Sequence, residues 1–245
     1  MAAPLEDRSL SVVIATRDRP VLLRRAVDAV LAQHHPAPLE IVLVFDQTEP
    51  DRSFEIDHDG RRVVVTTNDH SPGLAGARNT GVSKASNDWI AFCDDDDEWL
   101  PGKLVAQFRA LEDTEGARLA TTGVFINFRD EDTARIPVPE RLTFEGFLDD
   151  RMTEVHPSAT LVHRSVIDEI GDVDEAIPGG YAEDYDWLLR AAKVSPVAVA
   201  AAPLVRVYWH GASFFFERWK TIDDALAYLV DKHPEFHERP LGLAR

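Results

Sequence analysis

Short apolar runs alternate with segments of helical periodicity along the first half of the chain. Continuous apolar runs predict buried strands, and apolar residues that recur every three or four positions predict helices with one buried face. Strands are predicted at Leu10–Ala15, Leu39–Phe45, Arg62–Thr66 and Trp89–Cys93, and helices from Pro20, over Gly73–Ser86 and from Pro101 to about Leu111. This alternation is typical of an α/β fold with a mostly parallel sheet and helices on both faces.

The second half of the chain has a less regular pattern. It predicts strands at Leu119–Phe128, Ser158–His163 and within Val197–Tyr208, and helices over Ser165–Ile170, Ala182–Val194 and Ile222–Val230. The segment Asp130–Glu140 is charged and contains two prolines, so we expect a mobile loop there. The pattern shows no repeat, linker or break in composition, which indicates one domain.

Four consecutive aspartates, Asp94–Asp97, follow the strand Trp89–Cys93. Like charges repel one another, so such a cluster usually lies against a cation, and a hard divalent metal prefers oxygen ligands. On an extended segment Asp94 and Asp96 point the same way and could share a metal, whereas Asp95 points away. A solvated acidic loop before the next helix explains the cluster about as well.

Polar residues also follow three other predicted strands. Asp18, Asp46 and Asn68 each lie just past a strand end. Parallel sheets bind ligands at the carboxyl ends of their strands, so we expect these residues to meet the aspartate cluster in one crevice.

Two helices add candidate groups. Arg78 and Asn79 lie in the small-residue helix Gly73–Ser86 and either face this crevice or lie on an ordinary surface. Glu183, Asp184 and Asp186 begin an otherwise apolar helix. Either one of these carboxylates is a general base, or all three favour the positive end of the helix dipole.

Composition narrows the class of protein. The 43 acidic and 26 basic residues give a net charge of −17, which disfavours nucleic acid and anionic membranes as partners. The longest apolar run, Val197–Val205, is too short for a membrane helix, and the charged first residues predict no signal peptide. Cys93 is the single cysteine, so an intramolecular disulfide or a thiolate zinc site is excluded. We therefore expect a cytoplasmic protein.

Five elements occur in the order known from one enzyme family. They are Ser11–Pro20, Val44–Thr48, Gly73–Gly81, Asp94–Asp97 with its Asp-x-Asp pattern, and Gly171–Glu175 followed by Glu183–Trp187. Each motif alone has a high false-positive rate, but the ordered set is far more specific. With these elements the chain resembles a family 2 glycosyltransferase of the GT-A fold.

The resemblance implies a role for each matching residue. Asp184 would be the general base, with Glu183 beside it, in a transfer that inverts the anomeric centre. Asp96 would bind Mn²⁺ or Mg²⁺, and His210 would contact the metal or the diphosphate. The nucleotide sugar would be bound by Thr16, Arg17, Asp18, Asp46, Asn68, Arg78, Asn79, Asp94 and Asp95.

The resemblance also implies the partners and the division of the chain. The donor would be a UDP-, dTDP- or GDP-sugar, and the acceptor a small molecule, a lipid-linked sugar or a glycan. A single GT-A domain over residues 1–245 would bind the nucleotide sugar with about residues 8–115 and the acceptor with about residues 116–210. Residues 211–245 would form a C-terminal helical tail.

Departures from the family pattern leave alternatives open. Phe45 and Gln47 replace an Asp and the Gly of the Asp-Asp-Gly-Ser segment, so the donor base is undetermined. His210 fits an aromatic cluster as well as a ligand role. The aromatic run Phe214–Phe216, with Trp219, is compatible with an acceptor platform, a homodimer contact or a C-terminal lid, and it suits core packing or a lid anchor more than sugar stacking.

Two other functions are weighed against transfer. A nucleotidyltransferase making nucleotide sugars would need a glycine-rich loop after the first strand, and Ala15–Pro20 contains no glycine. A non-catalytic Ca²⁺-binding protein would not need the separate Glu183-Asp184 pair. An EF-hand is excluded, because Trp99 and Val105 occupy its Gly and Glu positions.

Overall fold

The structure is a computed structural model that describes residues 4–209 and 219–239. The strands in these ranges are β1 Leu10–Thr16, β2 Leu39–Phe45, β3 Ile56–His58, β4 Arg61–Thr67, β5 Trp89–Phe92, β6 Glu98–Trp99, β7 Leu119–Phe128, β8 Glu131–Arg135, β9 Leu161–His163 and β10 Val197–Tyr208. The α-helices are α1 Pro20–Leu31, α2 Leu74–Lys84, α3 Lys103–Asp113, α4 Phe144–Asp149, α5 Arg164–Ile170, α6 Glu183–Val194 and α7 Trp219–Lys232.

These strands form one twisted sheet. Their order is β3-β4-β2-β1-β5-β9-β7-β10-β6, and β8 pairs with β7 outside this path. The strands β4, β2, β1 and β5 run parallel to one another, as do β7 and β10. The short β9 lies antiparallel between β5 and β7. The mostly parallel α/β sheet predicted from the hydrophobic pattern is therefore confirmed.

Helices cover both faces of the sheet, and each face has its own apolar core. Because successive side chains of a strand point to opposite faces, Val13 joins one core while Val12 and Ile14 join the other. The first core contains apolar residues of α2, α5, α6 and α7. The second is built with α1 and α3.

The small-residue face of α2 packs directly on β1. A Cβ atom at Gly81 would lie 2.2 Å from Cγ1 of Val13, which no real contact allows. Glycine is therefore required where the helix crosses the strand. This close approach places the polar residues of α2 beside the carboxyl ends of the central strands.

The prediction of a mobile loop at Asp130–Glu140 is wrong. Glu131–Arg135 is instead a strand that pairs with β7 as a hairpin. Arg129 and Asp130 form its two-residue turn, with φ angles of 53° and 64°. Positive φ at both central residues is characteristic of the type I′ turn, whose twist suits a hairpin. The charge in this segment belongs to an exposed edge strand, where charged residues prevent association with other chains.

Candidate active site at the carboxyl ends of the strands

The ends of β1, β2 and β4 meet through their polar residues. The amide of Asn68 donates a hydrogen bond of 2.9 Å to Asp46, and the backbone N–H of Asp46 donates to the carbonyl of Thr16. Burial raises the pKa of Asp46, but hydrogen bonds from Asn68, Gln47 and the N–H of Gly73 outweigh it and keep that pKa below its usual value. Asp46 is thus held as a carboxylate at this edge of the sheet.

The aspartate cluster is a turn, which corrects the expected extended segment. The N–H of Asp97 donates to the carbonyl of Asp94, and Asp95 and Asp96 form the corner. The alternation of side chains in a strand does not apply in such a turn. The four carboxylates therefore form two groups. Those of Asp95 and Asp96 face the loop after β1, and those of Asp94 and Asp97 face the second half of the chain, so Asp95 does not point away from Asp96.

Asp95 and Asp96 face the loop after β1. The hydroxyl of Thr16 donates a hydrogen bond of 2.7 Å to Asp95, which is 6% exposed. One guanidinium nitrogen of Arg19 lies 3.1 Å from Asp95 and 2.9 Å from Asp96. Burial raises the pKa of Asp95, and the Thr16 hydrogen bond and the Arg19 charge act against that rise. Both carboxylates are thus bound by residues at the end of β1 and in the loop that follows it.

Asp94 and Asp97 face the second half of the chain. The hydroxyl of Ser158 donates to Asp97 at 2.5 Å and accepts a hydrogen bond from the N–H of Asp94. Nδ1 of His156 lies 3.4 Å from the Asp97 carboxylate. Burial raises the pKa of Asp97 to about 7, with the Asp94 charge adding to the rise and His156 opposing it.

Asp94, Asp97 and His156 form a donor set that fits a divalent metal. One ligand atom from each residue lies within 4.8 Å of the others. Carboxylate oxygens suit Mg²⁺ and Mn²⁺, and imidazole is an accepted ligand of transition metals such as Mn²⁺. A cation there would also offset the crowding of negative charge in the turn. Asp96, predicted as the metal ligand, is not a member of this set, and its carboxylate lies 2.9 Å from Arg19.

Arg78 joins the aspartate turn to the start of α6. Its guanidinium donates to Asp94 at 2.8 Å and to Glu183 at 2.9 Å, and the residue is 5% exposed. Burial and the adjacent Asp184 charge raise the pKa of Glu183 to about 7, and the Arg78 charge acts against them. One buried cation therefore connects carboxylates that are far apart in sequence.

Asp184 lies beside this bridge and lines a pocket. The pocket is mostly apolar, with Phe92, Val173 and Trp187 among its walls and Arg78 at its side. The Asp184 carboxylate accepts a hydrogen bond from the N–H of Tyr185 and lies 3.6 Å from the Arg151 guanidinium. Its side chain is 28% exposed, whereas that of Glu183 is 8% exposed. Asp184 is thus the member of the pair that a bound molecule can reach.

The remaining predicted residues lie at different distances from this centre. The amide of Asn79 donates to the carbonyl of Val173 and to Glu175, so it holds the segment after α5. Arg17 is exposed and near enough to Asp46 to lower the pKa of that carboxyl. Asp18 is exposed in a left-handed backbone conformation, with φ 54°. His210 and Phe214–Phe216 lie outside the described residues.

Three residues that contact the aspartate turn were not among the predicted ligands, and the sequence favoured a structural role over an acceptor-side one for His156. Arg19 follows Asp18 directly, and only the fold shows that it reaches Asp95 and Asp96. Ser158 lies in a short 3₁₀ turn, Pro157–Ala159, that His156 caps, whereas the sequence pattern predicted that a strand begins at Ser158. A histidine two residues before a serine carries no recognisable motif, so their approach to Asp97 could be found only from coordinates.

None of the helices within the described ranges is both long and apolar enough to span a bilayer.

Comparison with solved structures identifies the fold. Residues covering 91% of the chain superpose on TarS 1–349 of S. aureus in complex with UDP-GlcNAc, with a TM-score of 0.65 at 13% identity, and span 66% of that chain. The mannosyltransferase PcManGT of Pyrobaculum calidifontis, in complex with GDP-Man and Mn²⁺, gives a TM-score of 0.62 at 15% identity over 94% of this chain and 66% of that one. The chain therefore has the GT-A fold of glycosyltransferases.

The sequence assigns the family within this class. A model of glycosyl transferase family 2 matches residues 11–171, so the chain belongs to that family. An uncharacterized glycosyltransferase of Bacillus subtilis, YwdF, is 29% identical over 75% of this chain and 68% of its own length. The Escherichia coli enzyme WfgD, a UDP-Glc:alpha-D-GlcNAc-diphosphoundecaprenol beta-1,3-glucosyltransferase, is 29% identical over 44% of this chain and 42% of its own length. The protein is thus a glycosyltransferase enzyme.

Proposed function

We propose that the protein transfers a sugar from a nucleoside-diphosphate sugar to an acceptor hydroxyl, with inversion and with Asp184 as the general base. The observation that carries this proposal is the Arg78 bridge between Asp94 and Glu183. It brings the acidic turn, on the donor side, and the first turn of α6, on the acceptor side, to the same crevice.

The donor occupies the ends of β1, β2 and β4. Asp46, Asn68 and Thr16 lie there as linked polar groups, as expected for a nucleotide pocket in an open α/β sheet. The solved neighbours bind UDP-GlcNAc and GDP-Man, respectively. UDP-, dTDP- and GDP-sugars are therefore the donors to be tested.

Mn²⁺ or Mg²⁺ assists the reaction. Asp94, Asp97 and His156 would hold the ion, and Asp96 is a further ligand if Arg19 releases it. When bound, the ion would neutralise negative charge on the leaving diphosphate. Support comes from the donor set itself and from the Mn²⁺ complex of PcManGT.

Asp184 takes the proton of the acceptor hydroxyl. A hydroxyl is a poor nucleophile, and a carboxylate within hydrogen-bond reach removes its proton as the new bond forms. Asp184 is the reachable carboxylate of the pair, while Glu183 is buried and bound by Arg78. A single displacement of this kind inverts the anomeric centre. A lipid-linked sugar or other glycan is the proposed acceptor, because WfgD acts on a diphosphoundecaprenol-linked sugar.

A panel of nucleotide sugars tests the function. We expect Mn²⁺-dependent release of a nucleoside diphosphate from at least one UDP-, dTDP- or GDP-sugar, and faster release with a matching acceptor. Release of diphosphate from a nucleoside triphosphate would support a nucleotidyltransferase instead. If no donor is bound or cleaved with either metal, the proposal is wrong.

Asp184→Asn tests the base assignment. Loss of a general base lowers turnover by roughly two to four orders of magnitude, and we expect donor affinity in calorimetry to stay unchanged. Asp168→Asn, at an exposed carboxylate on α5, is the matched control. Full transfer activity in Asp184→Asn would assign the base elsewhere.

Two aspartate variants distinguish the metal ligands. If Asp94, Asp97 and His156 hold the ion, Asp97→Asn weakens Mn²⁺ binding measured by electron paramagnetic resonance more than Asp96→Asn does. The reverse order would support Asp96, the ligand that the family resemblance implies.

A further inference from the structure

The C-terminal helix α7 packs against the segment that carries Asp184. Gly179, three residues before Ala182, the N-cap of α6, lies against the first turn of α7, because a Cβ atom there would be 2.3 Å from Cγ2 of Thr221. At the other end of α7, Lys232 and His233 reach the first turn of α6 itself. The helix therefore contacts the proposed base segment at two separated points.

Asp186 receives most of these contacts. Its Oδ1 lies 2.9 Å from Nζ of Lys232 and 2.8 Å from Nε2 of His233, and its Oδ2 accepts from Arg190 at 2.9 Å. The Asp186 side chain is fully buried and His233 is 3% exposed. Burial alone would raise the pKa of Asp186, but the His233 hydrogen bond and the neighbouring cations lower it to about 2. Asp186 is thus an ionised anchor inside the protein.

The anchor lies on the opposite side of the helix from the proposed base. Residues two apart on a helix do not share a face, so a turn that holds Asp186 inward presents Asp184 to the pocket. Tyr185, between them, donates its hydroxyl hydrogen to the carbonyl of Phe147 and packs near Phe236. The contacts of Asp186 and Tyr185, on the side of the helix turned away from the pocket, therefore determine the position of Asp184 at the pocket.

The same helix also holds the segment that follows α5. Nζ of Lys232 lies 2.5 Å from Asp174, and the hydroxyl of Tyr228 donates to the same carboxylate at 2.9 Å. The neighbouring Glu175 accepts hydrogen bonds from Asn79 and from the N–H of Ser71 on the donor side. Lys232 consequently links the base turn to a segment that is itself tied to the donor half.

We infer that Lys232 and His233 are positioning residues, which act through Asp186 to hold Asp184 at the reaction centre. The inference rests on the proposed role of Asp184 and extends the catalytic unit to the C-terminal helix. A displacement of about 1 Å at a catalytic group can lower turnover roughly a hundredfold. Loss of the His233 contact, which reaches Asp186 and not the segment at Asp174, should therefore lower kcat while leaving the donor pocket intact.

His233→Leu and His233→Gln form the central comparison. The leucine removes the donor to Asp186, whereas the glutamine amide can replace the donating Nε2. We expect kcat to fall at least tenfold in His233→Leu with the donor KM within twofold, and His233→Gln to recover most of the loss. Lys232→Met should lower kcat in the same way and provides a second variant if His233→Leu does not fold.

Lys193→Ala is the matched control. Lys193 forms a 2.7 Å ion pair with Glu235, so it also links α6 to the C-terminal segment, but from the far end of the helix. Its kcat should equal that of the parent protein. Equal kcat values in the parent, His233→Leu and Lys232→Met, with only the melting temperature lowered, would show that α7 is merely structural.

Hydrogen exchange separates this inference from the proposed function. In His233→Leu we expect faster exchange in peptides covering residues 183–190 and unchanged exchange in α3. Unchanged exchange in residues 183–190 would overturn the inference whatever the activity. A parent protein that cleaves no donor would overturn the proposed function and the catalytic role of the anchor, even if exchange responds.

Discussion

Glu183→Gln should stabilise the protein increasingly as the pH rises. Glu183 is 6% exposed, and its pKa is raised from 4.5 to about 7, chiefly by burial. A carboxyl with a higher pKa in the folded than in the unfolded chain stabilises the fold when protonated, so stability is greatest below pH 4.5 and falls as the pH rises through 7. The pKa difference corresponds to about 3 kcal/mol at pH 8 and about 1 kcal/mol at pH 5. Glutamine carries no charge and avoids this cost.

Urea unfolding at pH 5, 6, 7 and 8, with chelator present, measures the effect. The free energy of unfolding of Glu183→Gln minus that of the parent should increase by about 2 kcal/mol between pH 5 and pH 8. Any constant change in the hydrogen bond with Arg78 cancels in this comparison. Glu115→Gln, at an exposed carboxylate, should show a flat difference. A flat difference for Glu183→Gln as well would refute the reasoning that burial raises the pKa of Glu183 against the opposing charge of Arg78.

Three further variants test other parts of the fold. Glu175→Gln should lower stability more at pH 6 than at pH 3 in urea unfolding. Although burial opposes it, hydrogen bonds led by that of Asn79 hold the pKa of Glu175 at about 2, so its contribution is fully present above pH 4.5 and is lost progressively as the pH falls toward 2. Lys103→Met should raise the melting temperature at pH 7 and lose most of that gain by pH 10. Burial lowers the pKa of Lys103 to about 7, so the parent protein becomes more stable as the pH rises from 7 to 10.5, whereas the methionine variant has no such dependence at this site. An equal gain at both pH values would contradict this. Gly81→Ala should destabilise by about 1–3 kcal/mol in chemical unfolding, since its Cβ would overlap Val13, and an unchanged midpoint would show that α2 can move away.

The sequence pattern predicted most of the sheet because a buried strand appears as a continuous apolar run in its own residues. Leu39–Phe45 and Leu119–Phe128 occur in the structure with the predicted bounds, and Asp46, Asn68 and the aspartate turn, each after a parallel strand, are linked through Thr16. Here the rule that strand ends share one edge was sufficient. The hairpin after β7 was missed because its turn depends on positive φ at Arg129 and Asp130, neither of which is a glycine.

The sequence of the acidic turn alone could not predict which neighbouring segment each of its four carboxylates faces. Four aspartates are compatible with a strand or with a turn, and these two backbones present different side chains to the same ligand. The choice depends on partners about sixty residues away, such as Ser158, whose hydroxyl connects Asp94 and Asp97. Likewise, Glu183 and Asp184 are chemically alike in sequence, and only burial and the reach of Arg78 give them different surroundings.

Helix α2 has a consequence for redesign of acceptor specificity. Its consecutive residues Arg78, Asn79 and Thr80 reach three different parts of the crevice: the acidic turn with Glu183, the segment at Val173, and the loop at Asn68. Since Gly81 packs directly on β1, the helix cannot move at this point without disturbing all three contacts together. A transplanted acceptor loop would therefore have to match the register of α2 before its own side chains could matter, and substitutions in loops that never touch one another should prove non-additive.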